Sequence, residues 1–149
     1  MEITGKLLYF DRKNRNGRVY TQKCALDIMQ QFGELAHNGT TMLGEFGYPE
    51  NRAEVALANV SHRIKSLHLD VDNKCIEGTI EILEGTPNGQ KVLRALGWTT
   101  AKFEDLFVVR PRGTGTVNEN GEVENYKLYS FDIISKDIDA FKEKEGLKI

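Results

Sequence analysis

The chain has 149 residues, of which 40% are hydrophobic and 28% are charged, a composition typical of a folded globular protein and not of a disordered one. Twenty basic and twenty-two acidic side chains give a formal net charge of −2, which argues against broad nucleic-acid binding, because that usually needs a basic excess. No apolar run approaches the ~20 residues that span a bilayer, and the N-terminus lacks a signal-peptide pattern. The length predicts one domain over residues 1–149.

The first part of the chain predicts a strand followed by a helix. Residues 1–10 have apolar positions suited to a strand, and the polar residues 11–18 contain an Asn-Gly turn signal. Apolar residues between Ala25 and Ala36 recur at three- and four-residue steps, which predicts a helix. Thr21 precedes this segment and can cap the helix with its hydroxyl. Asn38-Gly39 is expected to end this helix.

The next segments predict strands joined by a tight turn. The apolar stretch 41–49 contains two glycines and a proline, so its second half is a poor strand. Residues 54–71 predict one long strand or two, with a bulge or bend near Ser61-His62 because the alternation is imperfect there. A turn at 70–74 then leads into a returning strand at 75–83.

The last part predicts a helix, two strands and a charged C-terminal helix. Thr86 is a good N-cap and Pro87 suits the first helical position, so a helix is expected from here to Gly97. The later elements are a buried strand at 106–109 running into 110–117, a turn at 118–121, a strand at 126–134 and a helix from about Asp137. Because hairpins join most strands, the predicted fold is α+β, a mostly antiparallel β-barrel or sheet flanked by two to three helices.

Neither the cysteines nor the histidines indicate a metal or cofactor site. Cys24 and Cys75 are too few for a disulfide scaffold and form no Cys-x-x-Cys pair. The three histidines are not at zinc-binding spacing. We therefore expect reduced thiols, no metal and no cofactor.

His62 is the candidate general base, since histidine titrates near neutral pH. A lone histidine on a strand is more often structural, and nucleophilic catalysis also needs a hydroxyl or thiol that the fold brings within hydrogen-bond distance. Ser61 is not expected to serve, because adjacent residues of a strand point to opposite faces.

Two other features bear charged groups in apolar surroundings. In the segment 110–115, the backbone N–H groups of Gly113 and Gly115 and the guanidinium of Arg112 could stabilise an oxyanion, although the sequence favours a strand end with a glycine bulge. Asp132 lies inside an apolar strand, so it either faces solvent or has a buried partner such as Arg112 or His62.

Six short segments follow one another in the order of a known family. They are Asn16-Gly17-Arg18-Val19-Tyr20, Gly44-Glu45-Phe46-Gly47-Tyr48-Pro49, Val60-Ser61-His62, Thr86-Pro87-Asn88-Gly89, Arg112-Gly113-Thr114-Gly115 and Phe131-Asp132-Ile133-Ile134. Together they resemble the tailed-bacteriophage prohead (capsid maturation) serine proteases, which are related in fold to herpesvirus assemblin.

This resemblance implies a mostly antiparallel β-barrel surrounded by helices, and serine proteolysis of scaffold and capsid precursors inside the prohead. It places the catalytic histidine at His62, with Asp132 as the weaker candidate for its acidic partner. It also implies phage capsid, scaffold or other virion proteins as partners, homo-oligomers as a further option, and no direct contact with nucleic acid or membrane. The expected location is the virion, after synthesis in the host bacterial cytoplasm.

The sequence departs from the family at the nucleophile. The family motif runs Val-Ser-Ser-Arg-Gly-x-Gly, and in the same register Arg110 and Pro111 occupy the serine positions. Arginine offers no usable nucleophile at neutral pH, and proline lacks even a backbone N–H. Further departures are Tyr48 in place of a histidine and Lys136-Asp137 in place of Pro-Ser.

The predicted function is therefore a catalytically inactive member of this family, acting as a capsid-associated structural, decoration or head-assembly protein. One alternative is an active maturation protease with another nucleophile, for which Thr99, Thr100, Thr114 and Thr116 are the nearby hydroxyls. A second alternative is a binding domain unrelated to phage heads.

Overall fold

Two β-sheets form the framework of the computed structural model, which describes residues 1–14, 16–97 and 102–139. The strands are β1 (Glu2–Tyr9), β2 (Val19–Tyr20), β3 (Met42–Glu45), β4 (Val60–Asp70), β5 (Cys75–Ile82), β6 (Phe107–Val117) and β7 (Glu122–Ser135). The helices are α1 (Gln22–His37), α2 (Pro87–Gly97) and the short α3 (Phe103–Leu106), with a 3₁₀ turn at Leu57–Asn59 and a helical turn at 136–139.

The strand order is β1-β5-β4-β3 in one sheet and β2-β7-β6 in the other. All pairs are antiparallel except β2 with β7, and an isolated parallel bridge from Phe46 to Ile133 links β3's end to β7. The predicted α+β fold with mostly antiparallel strands is confirmed. The two sheets are not closed into a barrel, because β1 and β6 each keep a strand edge that no described strand pairs with.

The helices form where the sequence predicts them, for the expected local reasons. The Thr21 hydroxyl accepts the Cys24 N–H at 3.1 Å and caps α1. The Thr86 hydroxyl accepts the Gly89 N–H at 3.0 Å and satisfies a free donor at the start of α2. The buried faces of α1 and α2 then pack on β4, and α1 also packs on β7.

The core lies between these helices and the sheets. Its most buried hydrophobic side chains are Phe10, Ala25, Ile28, Cys75, Ile76, Ile80, Val92, Val123, Phe131 and Ile133. Both cysteines belong to it as free thiols. Burial raises the pKa of the Cys24 thiol to about 12 and also raises that of Cys75, so neither forms a thiolate near neutral pH.

Several predicted boundaries shift in the structure. The strand predicted from residue 54 begins only at Val60, so the prediction for 54–59 is wrong; the backbone there is held by the Glu45 side chain, which accepts the Ala56 N–H, and not by a neighbouring strand. β6 is continuous through the glycine segment as far as Val117. The strand β2 and the helix α3 were not predicted, and the C-terminal helix beyond residue 139 lies outside the described residues.

Within the described ranges, no helix is both long and apolar enough to cross a membrane.

Candidate functional site

His62 lies in β4 with no part of its side chain exposed to solvent. Its Nε2 is 2.7 Å from the backbone carbonyl oxygen of Phe131 in β7, and its Nδ1 is 2.7 Å from the Ser61 hydroxyl. A carbonyl oxygen can only accept, so Nε2 carries the proton and Nδ1 accepts from the hydroxyl of Ser61. Both ring nitrogens are therefore engaged inside the protein.

Burial lowers the pKa of His62 below its ordinary value of 6.5, although the hydrogen bond to Phe131 and the charge of Asp132 act in the opposite direction. The imidazole is thus neutral near pH 7, with an unprotonated Nδ1. It has the protonation state of a general base, but the atom that would take a proton is enclosed against Ser61.

A bulge explains the contact between Ser61 and His62. Gly44 pairs with His62 and Glu45 pairs with Val60, which leaves Ser61 without a partner on β3. Such a bulge breaks the strict alternation of side chains, so two neighbouring residues can approach the same group. The predicted bulge is confirmed, and the expectation that Ser61 cannot reach His62 is wrong.

Gly44 is required by the close approach of β3 to this histidine. A Cβ atom at this position would lie 2.1 Å from His62 Nε2 and 2.3 Å from the Phe131 carbonyl oxygen. Any side chain would therefore have to displace the very hydrogen bond that fixes the imidazole.

Asp132 follows Phe131 in β7 and pairs with Arg112, one of the two buried partners the sequence suggests. Its Oδ2 lies 2.7 Å from Arg112 Nε, and its Oδ1 accepts the Glu45 N–H at 3.0 Å and the Ser130 hydroxyl at 2.9 Å. The carboxylate acts on His62 through its charge, while its hydrogen bonds go elsewhere.

Buried Glu45 and partly exposed Arg52 complete a charged cluster that sequence reasoning did not identify. Arg52 forms two hydrogen bonds to Glu45, at 2.6 and 2.8 Å, and Arg112 Nη2 binds the same carboxylate at 2.8 Å. Two guanidinium groups and two carboxylates cancel in charge, which offsets much of the desolvation that burial imposes. Asp132 and Arg112 belong to the predicted site, but Glu45 does not. The sequence does contain a signal for Glu45, because it is an acidic residue inside the apolar stretch 41–49.

Burial by itself raises the pKa of Glu45, but the hydrogen bonds from Arg52, Ala56 and Asn59 and the charge of Arg112 bring it below its ordinary value. Glu45 is therefore ionised at neutral pH. It holds the loop between β3 and β4, because Arg52, Ala56 and Asn59 all belong to that loop.

The guanidinium of Arg112 is fully directed into this cluster. Besides Asp132 and Glu45, it donates to the backbone carbonyl oxygens of Arg52 at 2.6 Å and Glu54 at 3.3 Å. Only 5% of its side chain is exposed. Its oxyanion role stays a prediction, and in this arrangement its hydrogen bonds serve structure.

The glycines of the predicted oxyanion segment lie inside β6. A Cβ on Gly113 would be 2.2 Å from the Lys127 carbonyl oxygen, and one on Gly115 would be 2.9 Å from that of Glu124. The pairing with β7 shifts register on either side of Thr114, so a glycine bulge in a strand describes this segment.

Arg110 and Pro111 sit opposite Asp132 and Phe131 on β7. Arg110 makes a two-pronged ion pair with Asp139, at 2.7 and 3.1 Å. Pro111 is tolerated because β6 is an edge strand, where a missing N–H leaves no gap in the ladder. Neither residue supplies a nucleophilic atom.

Among the described residues, Ser61 is the one hydroxyl that hydrogen-bonds His62. The Thr114 hydroxyl contacts the Tyr129 hydroxyl, and that of Thr116 contacts the Glu124 carbonyl oxygen. Thr99 and Thr100 lie outside the described residues. No group of three or more acidic, histidine or cysteine side chains in the described ranges is arranged to hold a metal ion.

No family model matches the chain, and no curated protein matches it. Among solved structures, the fold is similar to the capsid assembly protease of bacteriophage T4, with a TM-score of 0.73 and 20% sequence identity. The alignment covers 89% of this chain and 80% of the T4 protein. The chain therefore has a fold like that of a phage capsid assembly protease.

Proposed function

We propose that this chain is a capsid-associated structural or assembly protein of a tailed bacteriophage, built on the fold of a maturation protease but without its proteolytic activity. The fold shared with the T4 capsid assembly protease supports the phage-head context. The observation that carries the proposal is that Arg110 and Pro111 stand in β6 at the two positions where the resemblance to the family places serines.

The chemistry of these two side chains argues against cleavage. The Arg110 guanidinium is bound to Asp139, and the proline ring carries no group that can attack a carbonyl. Loss of the nucleophile from a catalytic triad lowers the rate by about 10⁶-fold. An acylation step at this position of β6 therefore has no attacking atom.

The surroundings of His62 and Asp132 support the same conclusion. The imidazole is wholly buried, and its two nitrogens are used by Ser61 and by the Phe131 carbonyl. The Asp132 carboxylate is neutralised by Arg112. We infer that these former catalytic positions now join β4 to β7 and anchor the loop that precedes β4.

The alternative is an active protease that uses Ser61, and one contact favours it. The Ser61 hydroxyl donates to an unprotonated imidazole nitrogen at 2.7 Å, the relation of a nucleophile to its base. Against it, neither side chain has any exposed surface, so a substrate carbonyl could reach Ser61 only after the surrounding residues moved away.

Two experiments separate these functions. The purified protein is incubated with the scaffold and capsid precursors of its phage, and with a fluorophosphonate probe that acylates activated serines. We expect intact precursors, no labelled serine, and the protein itself in purified proheads or virions.

Precursor cleavage that His62→Ala and Ser61→Ala abolish, together with labelling of Ser61, would establish the protease instead. Ser66→Ala is the matched control, because Ser66 is an exposed serine of the same strand. Absence of the protein from both proheads and virions would favour a binding domain unrelated to phage heads.

A further inference from the structure

The sequence contains the same reactive dipeptide, Asn-Gly, in four different surroundings. The pairs are Asn16-Gly17, Asn38-Gly39, Asn88-Gly89 and Asn120-Gly121. In such a pair the backbone nitrogen of glycine can attack the side-chain amide of asparagine, because glycine has no side chain to hinder the approach. The surroundings of each pair in the fold decide whether it can react.

The pair Asn88-Gly89 lies in the first turn of α2 and is held in place. The Asn88 side-chain amide donates to the Asn59 carbonyl oxygen at 3.0 Å, and the Gly89 N–H donates to the Thr86 hydroxyl at 3.0 Å. A Cβ atom on Gly89 would lie 1.9 Å from the Leu83 carbonyl oxygen, so the backbone has little room to rotate. We expect this pair to stay intact in the folded chain.

Asn16 and Asn120 lie in two turns with the same hydrogen bonds. In each turn an earlier asparagine, Asn14 or Asn118, accepts the glycine N–H through its backbone carbonyl oxygen at 3.0 Å. Its side-chain oxygen accepts the N–H of the second asparagine at 2.9 Å and that of the residue after the glycine at 3.0 Å. Both Asn16 and Asn120 are exposed, so hydrogen bonding and exposure do not separate these two pairs.

The charges of the two turns are opposite. The residues in or beside the first turn include Lys13, Arg15 and Arg18, and those of the second turn include Glu119, Glu122 and Glu124. The attacking glycine nitrogen must lose its proton, and the ring that it closes passes through an oxyanion. Since cations stabilise both anions and carboxylates destabilise them, the first turn favours the reaction and the second opposes it.

The glycines of the two turns also differ in their freedom to move. Apart from its neighbours in the chain, no described residue comes within 4 Å of a Cβ atom built on Gly17. A Cβ atom on Gly121 would lie 3.1 Å from the Gly17 carbonyl oxygen, and the Gly121 carbonyl oxygen accepts the Val19 N–H at 2.8 Å. The peptide of Gly121 is therefore more restrained than that of Gly17.

The pair Asn38-Gly39 is exposed but lies at the C-terminal end of α1. The N–H groups of Asn38, Gly39 and Thr40 all donate to carbonyl oxygens of the last helical turns. This end of a helix carries a partial negative charge, which disfavours an anionic nitrogen. We therefore expect Asn38 to react more slowly than Asn16.

We propose that Asn16 is a site of spontaneous deamidation, which converts it to isoaspartate or aspartate and loosens β2 from β7. The Gly17 nitrogen gives its proton to water and bonds to Asn16 Cγ, and the Cγ–Nδ2 bond breaks as ammonia leaves with a proton taken from water. A further water molecule opens the cyclic imide at one of its two carbonyl groups and leaves a new carboxylate. The reaction goes beyond the proposed function, because it does not depend on whether the chain cleaves proteins.

The effect on β2 follows from the chemistry of isoaspartate, in which Cβ becomes part of the main chain. The turn 14–18 then contains one more main-chain carbon, and the Gly17 carbonyl has to move relative to Gly121. Val19 comes two residues after Gly17, and β2 pairs with β7 over only two residues. A displacement of the turn should therefore weaken the hydrogen bond from the Val19 N–H to Gly121.

Timed incubation of the full chain at mildly alkaline pH, followed by proteolysis and mass spectrometry, measures conversion at each pair. At low salt we expect Asn16 to convert roughly fivefold faster than Asn38 or Asn120, and Asn88 to stay unchanged. Added salt should slow Asn16 and accelerate Asn120, because it screens cations at one turn and carboxylates at the other. In urea Asn88 should convert as well, since the fold no longer protects it.

Arg18→Gln and Glu122→Gln are matched variants, because the two residues occupy the same position of the two turns. Arg18→Gln should slow conversion of Asn16 about twofold, and Glu122→Gln should accelerate that of Asn120 about twofold. Neither change removes the backbone N–H that closes the turn. In the unmodified chain, conversion of Asn38 or Asn120 at least as fast as that of Asn16, or a salt response of the same sign in both turns, would overturn the assignment.

Amide hydrogen exchange tests the effect on β2 within one partly converted sample. The sample is labelled with deuterium before proteolysis, and the peptides with isoaspartate or asparagine at position 16 are then separated by chromatography. Uptake at the Val19 amide should be higher in the isoaspartate form. Equal uptake in the two forms would refute the loosening of β2.

Discussion

Replacing the buried Arg112 by methionine is expected to destabilise the protein far more than removing the charge of an exposed residue would. Methionine has a long side chain of related shape but no charge. The guanidinium is the only cation that hydrogen-bonds Asp132 in the described structure, whereas Glu45 also keeps its two bonds from Arg52. The variant therefore leaves one buried carboxylate without a cation.

The size of the effect follows from this imbalance. In the wild-type cluster two arginines balance two carboxylates, and in Arg112→Met the cluster carries one net negative charge. The Asp132 carboxylate keeps only the Glu45 N–H and the Ser130 hydroxyl as donors. Breaking a buried ion pair by removing one partner typically costs ~3–5 kcal/mol, so we expect a loss in this range.

Urea unfolding followed by circular dichroism measures this loss. The double variant Arg112→Met/Asp132→Asn removes the stranded charge and should be more stable than Arg112→Met alone, by about 1 kcal/mol or more. Lys23→Met is the surface control, because the Lys23–Asp27 pair is exposed and should contribute no more than ~0.5 kcal/mol. A loss below ~1 kcal/mol for Arg112→Met would refute the reasoning that the cluster needs its charge balance.

Three further outcomes are expected. The buried, neutral His62 has a pKa below 6.5, so the unfolded chain binds a proton that the folded chain does not. The free energy of unfolding should therefore fall as pH drops below 6.5. In urea titrations at several pH values, His62→Gln should make this fall less steep. Glu45 has a pKa below 4.5, so its stabilisation should persist above pH 4.5 and disappear as pH falls through the lower value, a loss that Glu45→Gln should not show. Gly44→Ala should unfold at much lower urea concentration, whereas Gly33→Ala, an exposed helix position with open space around it, should gain ~0.5–1 kcal/mol; equal effects would contradict the close packing at Gly44.

Local signals predicted much of the fold because they act through neighbours in sequence. Thr21 and Thr86 cap the helices that they were expected to cap, and the turn at 71–74 joins the two strands that alternation predicts. The bulge at Ser61 was visible as a break in the apolar period.

The features that sequence did not predict depend on distant partners. Glu45 reads as one acid in an apolar stretch, and only the fold brings Arg112 to it from 67 residues away. Predicting the Ser61–His62 hydrogen bond requires the geometry of the bulge as well as its position in the sequence. The open seam between β1 and β6 is a property of how the two sheets meet, which strand patterns alone do not specify.

The inert thiols in the core make the wild-type chain a convenient host for spectroscopic labels. Cys24 and Cys75 are 3% and 0% exposed and keep their protons near neutral pH, so maleimide reagents should not modify them. A cysteine introduced at an exposed position of β1 and another on the 46–56 loop would then be the reactive sites. Distances between such labels would follow the width of the seam and the position of the loop in solution without removing either native thiol.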